Sequence, residues 1–277
     1  MISLLKSIFR NTAVYQKIHK YHRTKIDKAE RANYPQRRKD IIHNYSIDTQ
    51  YLNVGDGYFA REDWRLLDYA GEDSNYPYDQ ELLDYNINLL ETKEWPIPNN
   101  SFNAVYSSHC LEHLTMDAIR FSIGQIFRVL KPGGIFRLTV PDIDPAYEAY
   151  LRFDLTWFEE NGNSADRSNI TAHFLDYFSN KKISDIDIAR FNSDIKTLSK
   201  TDFLNKYINS SIDLRTHRFE SHVSWINFDL AQSIGKDIGF SKVLLSSKGK
   251  SLSKEMQKPN FDHKPGKGNL YVDFVKQ

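Results

Sequence analysis

The chain has 277 residues, with 37 Lys and Arg against 36 Asp and Glu, for a formal net charge of +1. At roughly 100–200 residues per domain it holds one large domain or two small ones, enough to bury a core without disulfide or metal staples. The single cysteine, Cys110, excludes a disulfide framework and fits a reducing compartment. No apolar run of about 18 residues occurs, so no membrane span is expected. Residues 1–10 lack the small-residue cleavage site of a secretory signal, and none is expected. Near-neutral charge gives no global case for nucleic acid.

Residues 1–50 stand apart, with eleven Lys and Arg against four Asp and Glu. Leu4, Leu5, Ile8 and Phe9 fall at helical spacing. Residues 1–49 are expected to be a basic helical extension, either packed on the main domain or touching a membrane surface or an acidic partner. From Tyr51 onward, short apolar runs alternate with helical patterns. Tyr51–Val54 predicts a strand running into Gly55-Asp56-Gly57. Residues 65–68, 85–90, 104–107 and 135–140 predict four more. Between the last two, Ile119, Ile123, Ile126, Phe127 and Leu130 recur at helical spacing, and Lys131-Pro132-Gly133-Gly134 should stop that helix. Such alternation predicts a mostly parallel sheet with helices on both faces.

Over 151–220 the alternation is lost. Phe153, Trp157, Phe158, Phe174, Tyr177 and Phe178 sit in helical patterns, which predicts a helical insertion or lid. The α/β signal then returns, with a helix over 230–238 closed by Gly239 and strands over 242–246 and 270–276. The expected organisation is therefore an extension (1–49), a core (50–150), an insertion (151–220) and the rest of the core (221–277).

Four features carry chemistry. A strand ending in Gly55-Asp56-Gly57 lets backbone approach a ligand closely. Asp68 ends the next strand, where an acid accepts hydrogen bonds from ribose hydroxyls. It follows Gly55 by only 13 residues, which counts against an ordinary NAD site. The run from Pro96 to Leu114 places Ser107, His109, Glu112 and His113 at the end of the fourth strand. The run from Gln125 to Asp142 places Asp142 at the end of the fifth.

Those last two runs, Pro-Ile-Pro-Asn-Asn-Ser-Phe-Asn-Ala-Val-Tyr-Ser-Ser-His-Cys-Leu-Glu-His-Leu and Arg-Val-Leu-Lys-Pro-Gly-Gly-Ile-Phe-Arg-Leu-Thr-Val-Pro-Asp, resemble those of class I S-adenosylmethionine-dependent methyltransferases of type 11. The nearest in character are members encoded beside polysaccharide-biosynthesis enzymes. Trp64-Arg65-Leu66-Leu67-Asp68 and the tail segments His222-Val223-Ser224-Trp225, Gly239-Phe240 and Asn269–Asp273 share that character. The resemblance implies a doubly wound, Rossmann-like, seven-stranded sheet with the last strand antiparallel, and S-adenosylmethionine as cofactor. It implies that Asn53, Gly55, Asp56 and Gly57 form the methionine-side loop. Asp68 would bind the ribose, Asn88 would lie by the adenine, and Ser107 and His109 would line the reacting methyl. Asn88 replaces the family's Asp, and Tyr58-Phe59 replace its small residues.

A hydroxyl acceptor needs a base, and His109 is the first candidate. Glu112 and His113 would orient it, and Asp142 is the second candidate. His217, His222 and Trp225 are expected either to line an acceptor pocket or to pack. The expected reaction is O-methylation of a sugar, nucleotide-sugar or glycan end by a cytoplasmic enzyme that also sits peripherally at the inner membrane face if the basic extension binds there. No nucleic-acid partner and no resident metal are assigned. Three other readings stand beside it: a degenerate methyltransferase fold acting as a scaffold, an NAD-dependent sugar-modifying enzyme, and a zinc metalloprotease. The last follows from His109-Cys110-Leu111-Glu112-His113, which spells H-x-x-E-H.

Overall fold

The computed structural model describes residues 32–44, 50–55, 59–71, 80–161, 169–209, 222–259, 261–262 and 268–277. The strands are β1 (Tyr51–Val54), β2 (Trp64–Asp68), β3 (Tyr85–Asn86), β4 (Phe102–Ser108), β5 (Leu130–Pro141), β6 (Lys242–Leu245) and β7 (Asn269–Val275). They form one sheet in the order β3-β2-β1-β4-β5-β7-β6. Pairs among β1 to β5 are parallel, and β7 runs antiparallel between β5 and β6. This is the doubly wound Rossmann-like methyltransferase sheet. The order reverses between β1 and β4, and in such sheets ligands bind beyond the carboxyl ends of the strands at that point.

Helix α1 runs through 32–43. The others are α2 (Met116–Val129), α3 (Ile143–Leu151), α4 (Leu155–Asn161), α5 (Ile170–Phe178), α6 (Ile188–Thr197), α7 (Lys200–Tyr207) and α8 (Phe228–Ile238). No described helix is long and apolar enough to cross a membrane. Thr115 caps α2 by accepting the Ala118 N–H, and Ile119, Ile123 and Ile126 are buried on one face. Gly239 ends α8 at φ 111°, a left-handed turn that glycine makes without a side-chain clash. The main core joins α2 and α8 to β1, β4, β5 and β7. Helices α3 to α7 gather round a second core of Phe174, Phe191 and Phe203, which Trp225 also joins.

Two expected boundaries change. Helix α2 ends at Val129, and β5 starts at Leu130. Lys131 to Gly134 lie inside β5 as an irregularity: Phe102 pairs with Leu130 but Ala104 with Ile135. Gly133, at φ 79°, absorbs the bend. The predicted strand over 85–90 shrinks to Tyr85–Asn86. There the Asn88 side chain accepts the Leu90 N–H and starts a 3-10 turn at Leu89–Glu91. A short polar side chain has won over the sheet ladder.

Part of the basic extension is an integral piece of the fold. Arg38 on α1 is fully buried. It donates to the Leu82 and Trp64 carbonyls and pairs with Asp84. Tyr34 packs beside it with Leu66 and Leu82. A truncation meant to probe residues 1–31 should therefore stop short of α1. The expected apolar stripe at Leu4, Leu5, Ile8 and Phe9 lies outside the described residues.

Candidate active site at the carboxyl edge of the sheet

The candidate residues lie at the carboxyl ends of β1, β2, β4 and β5, and the chain turns sharply after β1 and β4. Gly55 follows β1 at φ 64°, and its N–H donates to the Leu67 carbonyl at 2.9 Å. A Cβ there would lie 2.1 Å from Cys110 Sγ, so close packing as well as φ requires glycine. Asp56 and Gly57 lie outside the described residues, as do Tyr58 and His217. Asn53, one residue before the end of β1, is fully buried, and its amide has no hydrogen-bond partner among the described residues. Asp68 is half-buried at the end of β2, where it accepts the Tyr69 N–H at 2.8 Å. Asn88 lies beyond β3 as the turn cap already described. Ser107 is buried and donates to the Val54 carbonyl at 2.9 Å, tying the end of β4 to β1.

His109 is the residue on which β4 leaves the sheet. Its N–H still bonds the Thr139 carbonyl at 2.8 Å, yet its φ is 51°. Non-glycine residues rarely hold that conformation, which costs of order 1–3 kcal/mol and clusters at functional sites. The bend brings His109 Nδ1 to 3.2 Å from Glu112 Oε1. Nε2 is buried without a partner among the described residues. The chain then makes a 3-10 turn over Leu111–His113. His109 and His113 thus straddle a bend, not one helix, so the H-x-x-E-H pattern does not present two histidines on one helical face as a metalloprotease needs.

Glu112 is the hub. It is 3 % exposed. Its carbonyl accepts the Val223 N–H at 2.9 Å and the Ser224 N–H at 3.2 Å, which stitches the turn to the 222–225 segment. That stitch delivers His222, whose Nε2 lies 3.9 Å from Glu112 Oε1, while His113 Nε2 lies 4.0 Å away. The two rings meet edge to face at 4.8 Å. His222 Nδ1 is 2.5 Å from the Tyr177 carbonyl. A carbonyl only accepts, so Nδ1 carries the proton. Burial alone would raise the Glu112 carboxyl, but the His109 contact and the charges of His109, His113 and His222 outweigh it and hold the group well below the ordinary range. Burial, then the charges of Glu112 and Asp142, push the Tyr177 phenol up to about 12. Trp225 donates to Asn205 and packs in the helical core.

Asp142 follows β5 and caps α3 by accepting the Asp144 N–H at 3.1 Å. Burial raises its carboxyl from 3.8 to about 6, and the Asp144 charge adds to this against the cap and Lys200. The folded state therefore binds this proton more tightly than the unfolded one. Above about pH 6 the fold carries the cost of an ionised Asp142, and that cost lifts as pH falls from 6 toward 4. Asp142→Asn keeps the cap. It should be more stable than the parent at pH 8, with the gain vanishing near pH 4, as read from denaturant midpoints.

The sequence singled out His109, Glu112, His113 and Asp142, with His222 either lining an acceptor pocket or packing, and the structure gathers His109, Glu112, His113 and His222. It adds Tyr177, which no spacing marked because it comes from the helical insertion.

Residues 69–138 match a family model described as a methyltransferase domain. Among solved structures, the chain is similar to an S-adenosylmethionine-dependent methyltransferase from Archaeoglobus fulgidus (12 % identity, 89 % of this chain and 94 % of that one, TM-score 0.40). It is similar to a putative S-adenosyl-L-methionine-dependent methyltransferase from Methanococcus maripaludis (15 % identity, 93 % and 91 %, TM-score 0.37). It is also similar to the CurJ carbon methyltransferase (8 % identity, 84 % and 50 %, TM-score 0.38), of which it spans half the length. No curated protein matches. Residues 69–138 thus match a methyltransferase domain, and they lie in a seven-stranded sheet whose last strand is reversed, the arrangement expected of a class I S-adenosylmethionine-dependent enzyme.

Proposed function

We propose that the chain methylates an oxygen on a sugar, nucleotide-sugar or glycan end, with His109 as the base. One observation supports the base above all: a partly buried imidazole at the end of β4 whose Nε2 is buried and unpartnered among the described residues and whose Nδ1 is turned to a buried carboxylate. When bound, S-adenosylmethionine supplies a sulfonium methyl whose C–S bond breaks as the acceptor oxygen forms its C–O bond. His109 Nε2 takes the hydroxyl proton and later releases it to water. Glu112 keeps Nδ1–H oriented and stabilises the imidazolium, and base catalysis of this kind contributes roughly 10²–10⁴-fold.

The carboxyl edge fits the cofactor. The orphaned Asn53 amide is a group that a polar ligand would satisfy, since buried polar groups rarely stay unpaired. Gly55, Asp56 and Gly57 would pass beside the methionine end, and Asp68 would take the ribose hydroxyls. Ser107 and Asn88 would act by shaping the cleft, since their side chains bond to backbone. His113 would support Glu112. Asp142 ranks second as a base because its carboxyl already caps α3. Residues 50–150 and 221–277 would form the cofactor core, 151–220 a cover over the acceptor, and the residues before α1 a contact for a cytoplasmic membrane face or partner.

The preference for a glycan oxygen rests on the polysaccharide-linked character of the Trp64–Asp68 and 222–225 segments. Incubation with isotope-labelled S-adenosylmethionine and a panel of nucleotide sugars, glycan fragments and carbon acids tests it. Label in a sugar methyl ether is the expected result. Label only in a carbon acid would overturn the oxygen assignment. Failure to bind S-adenosylhomocysteine would favour the scaffold reading.

A further inference from the structure

We propose that Glu112, His113 and His222 bind a divalent transition-metal ion, zinc by the chemistry of the set, and that the ion holds and polarises the acceptor hydroxyl beside His109. The second clause rests on the methyl-transfer reading above; the first does not.

Three observations carry the site. The ligand atoms of Glu112, His113 and His222 all lie within 4.8 Å of one another. In tetrahedral zinc, bonds of about 2.0–2.2 Å put neighbouring ligand atoms roughly 3.3–3.6 Å apart. The 3.9 and 4.0 Å separations from Glu112 Oε1 need small inward shifts, and the widest separation, 4.8 Å, has to close by about 1 Å, which turning the partly exposed imidazoles supplies. Next, both Glu112 carboxylate oxygens are buried without an aligned hydrogen bond among the described residues. A buried carboxylate in that state is costly unless a cation meets it. Finally, His222 already carries the outer support of a metal ligand. Its Nδ1–H is fixed on the Tyr177 carbonyl, which leaves Nε2, 3.9 Å from Glu112 Oε1, as the atom that a metal would take. Ligating histidines commonly donate their other N–H in this way.

Two imidazoles and one carboxylate suit zinc and leave a fourth position open, as catalytic sites do. His113 and His222 are each 21 % exposed, which gives the ion and an acceptor oxygen an approach. Glu112 Oε1 has two lone pairs, one for His109 and one for the metal. A hydroxyl in the open position would ionise more readily, with its proton passing to His109. The ion does no redox chemistry, as methyl transfer requires none.

The test uses the full-length chain stripped with chelator, titrated with Zn²⁺ against a chromophoric chelator and separately with Co²⁺. One equivalent should bind, Co²⁺ should develop visible ligand-field bands, and Zn²⁺ should raise the melting temperature. His222→Ala and His113→Ala should each weaken Zn²⁺ by more than about 100-fold, beyond the roughly 10–100-fold that loss of an outer-shell partner costs. Tyr177→Phe keeps the carbonyl and should bind Zn²⁺ like the parent. Circular dichroism and S-adenosylhomocysteine titration report whether each variant is folded. A parent that binds S-adenosylhomocysteine but no Zn²⁺ or Co²⁺ would overturn the metal site and leave the methyltransferase reading standing. Zn²⁺ affinity unchanged in both histidine variants would also overturn it. Zn²⁺ bound without S-adenosylhomocysteine would leave the metal site and remove its proposed role.

Discussion

Replacing His109 by asparagine should lower turnover by about 10²–10⁴-fold and leave S-adenosylhomocysteine affinity nearly unchanged. Asparagine is the informative substitution because His109 sits at φ 51°. Asn enters the left-handed region more easily than Ala or a branched residue, so the bend at the end of β4 should survive. The Thr139 bond to the backbone N–H is also kept. What is lost is the Nε2 lone pair and the partner facing Glu112. Single-turnover kinetics with a saturating acceptor isolate the chemical step, and calorimetry reads the cofactor. A fall in kcat with a steady KM for S-adenosylmethionine marks an interaction used in the transition state. Full activity in His109→Asn would remove it as the base and turn attention to Asp142.

The sheet was legible in the chain because its causes are local. Strands alternated with helices, Gly55 closed β1, Asp68 closed β2, and the apolar repeat through Ile119, Ile123 and Ile126 gave α2. The two errors were also local contests. The Asn88 side chain captured a backbone N–H at the third strand, and Gly133 let β5 begin earlier by bending within the strand. The site was legible only where it lies on one stretch, from Ser107 to His113. Its third side was marked only as a choice for His222 between lining a pocket and packing, and the contact with Glu112 could not be read. His222 reaches Glu112 because the Val223 and Ser224 amides bond the Glu112 carbonyl, a pairing across more than a hundred residues that leaves no spacing signal. Tyr177 enters from a helix whose aromatic pattern said only that it would pack. The depth of Arg38 was hidden for the same reason, since a basic run reads as solvated until Asp84 and two carbonyls are placed round it.

Replacing Asp68 by alanine should weaken S-adenosylhomocysteine binding roughly 10- to 150-fold. A charged acceptor is worth about 1.5–3 kcal/mol per hydrogen bond, and each 1.4 kcal/mol is tenfold in affinity. The position makes this specific. β2 lies between β1 and β3 and ends level with the Gly55 turn, whose N–H bonds the residue just before Asp68. The carboxylate therefore stands beside the loop that the cofactor's methionine end would pass. It also accepts the Tyr69 N–H, so alanine would loosen the start of the next loop as well as remove the charge. Asp68→Asn separates the two effects. The amide oxygen can keep the Tyr69 bond while the charge is gone, so its affinity loss should fall between parent and alanine, with an unchanged melting temperature. Calorimetric titration of the three proteins decides it. Equal affinity in all three would mean that the ribose is held elsewhere, and the half-buried acid at the end of β2 would be left with a purely local task.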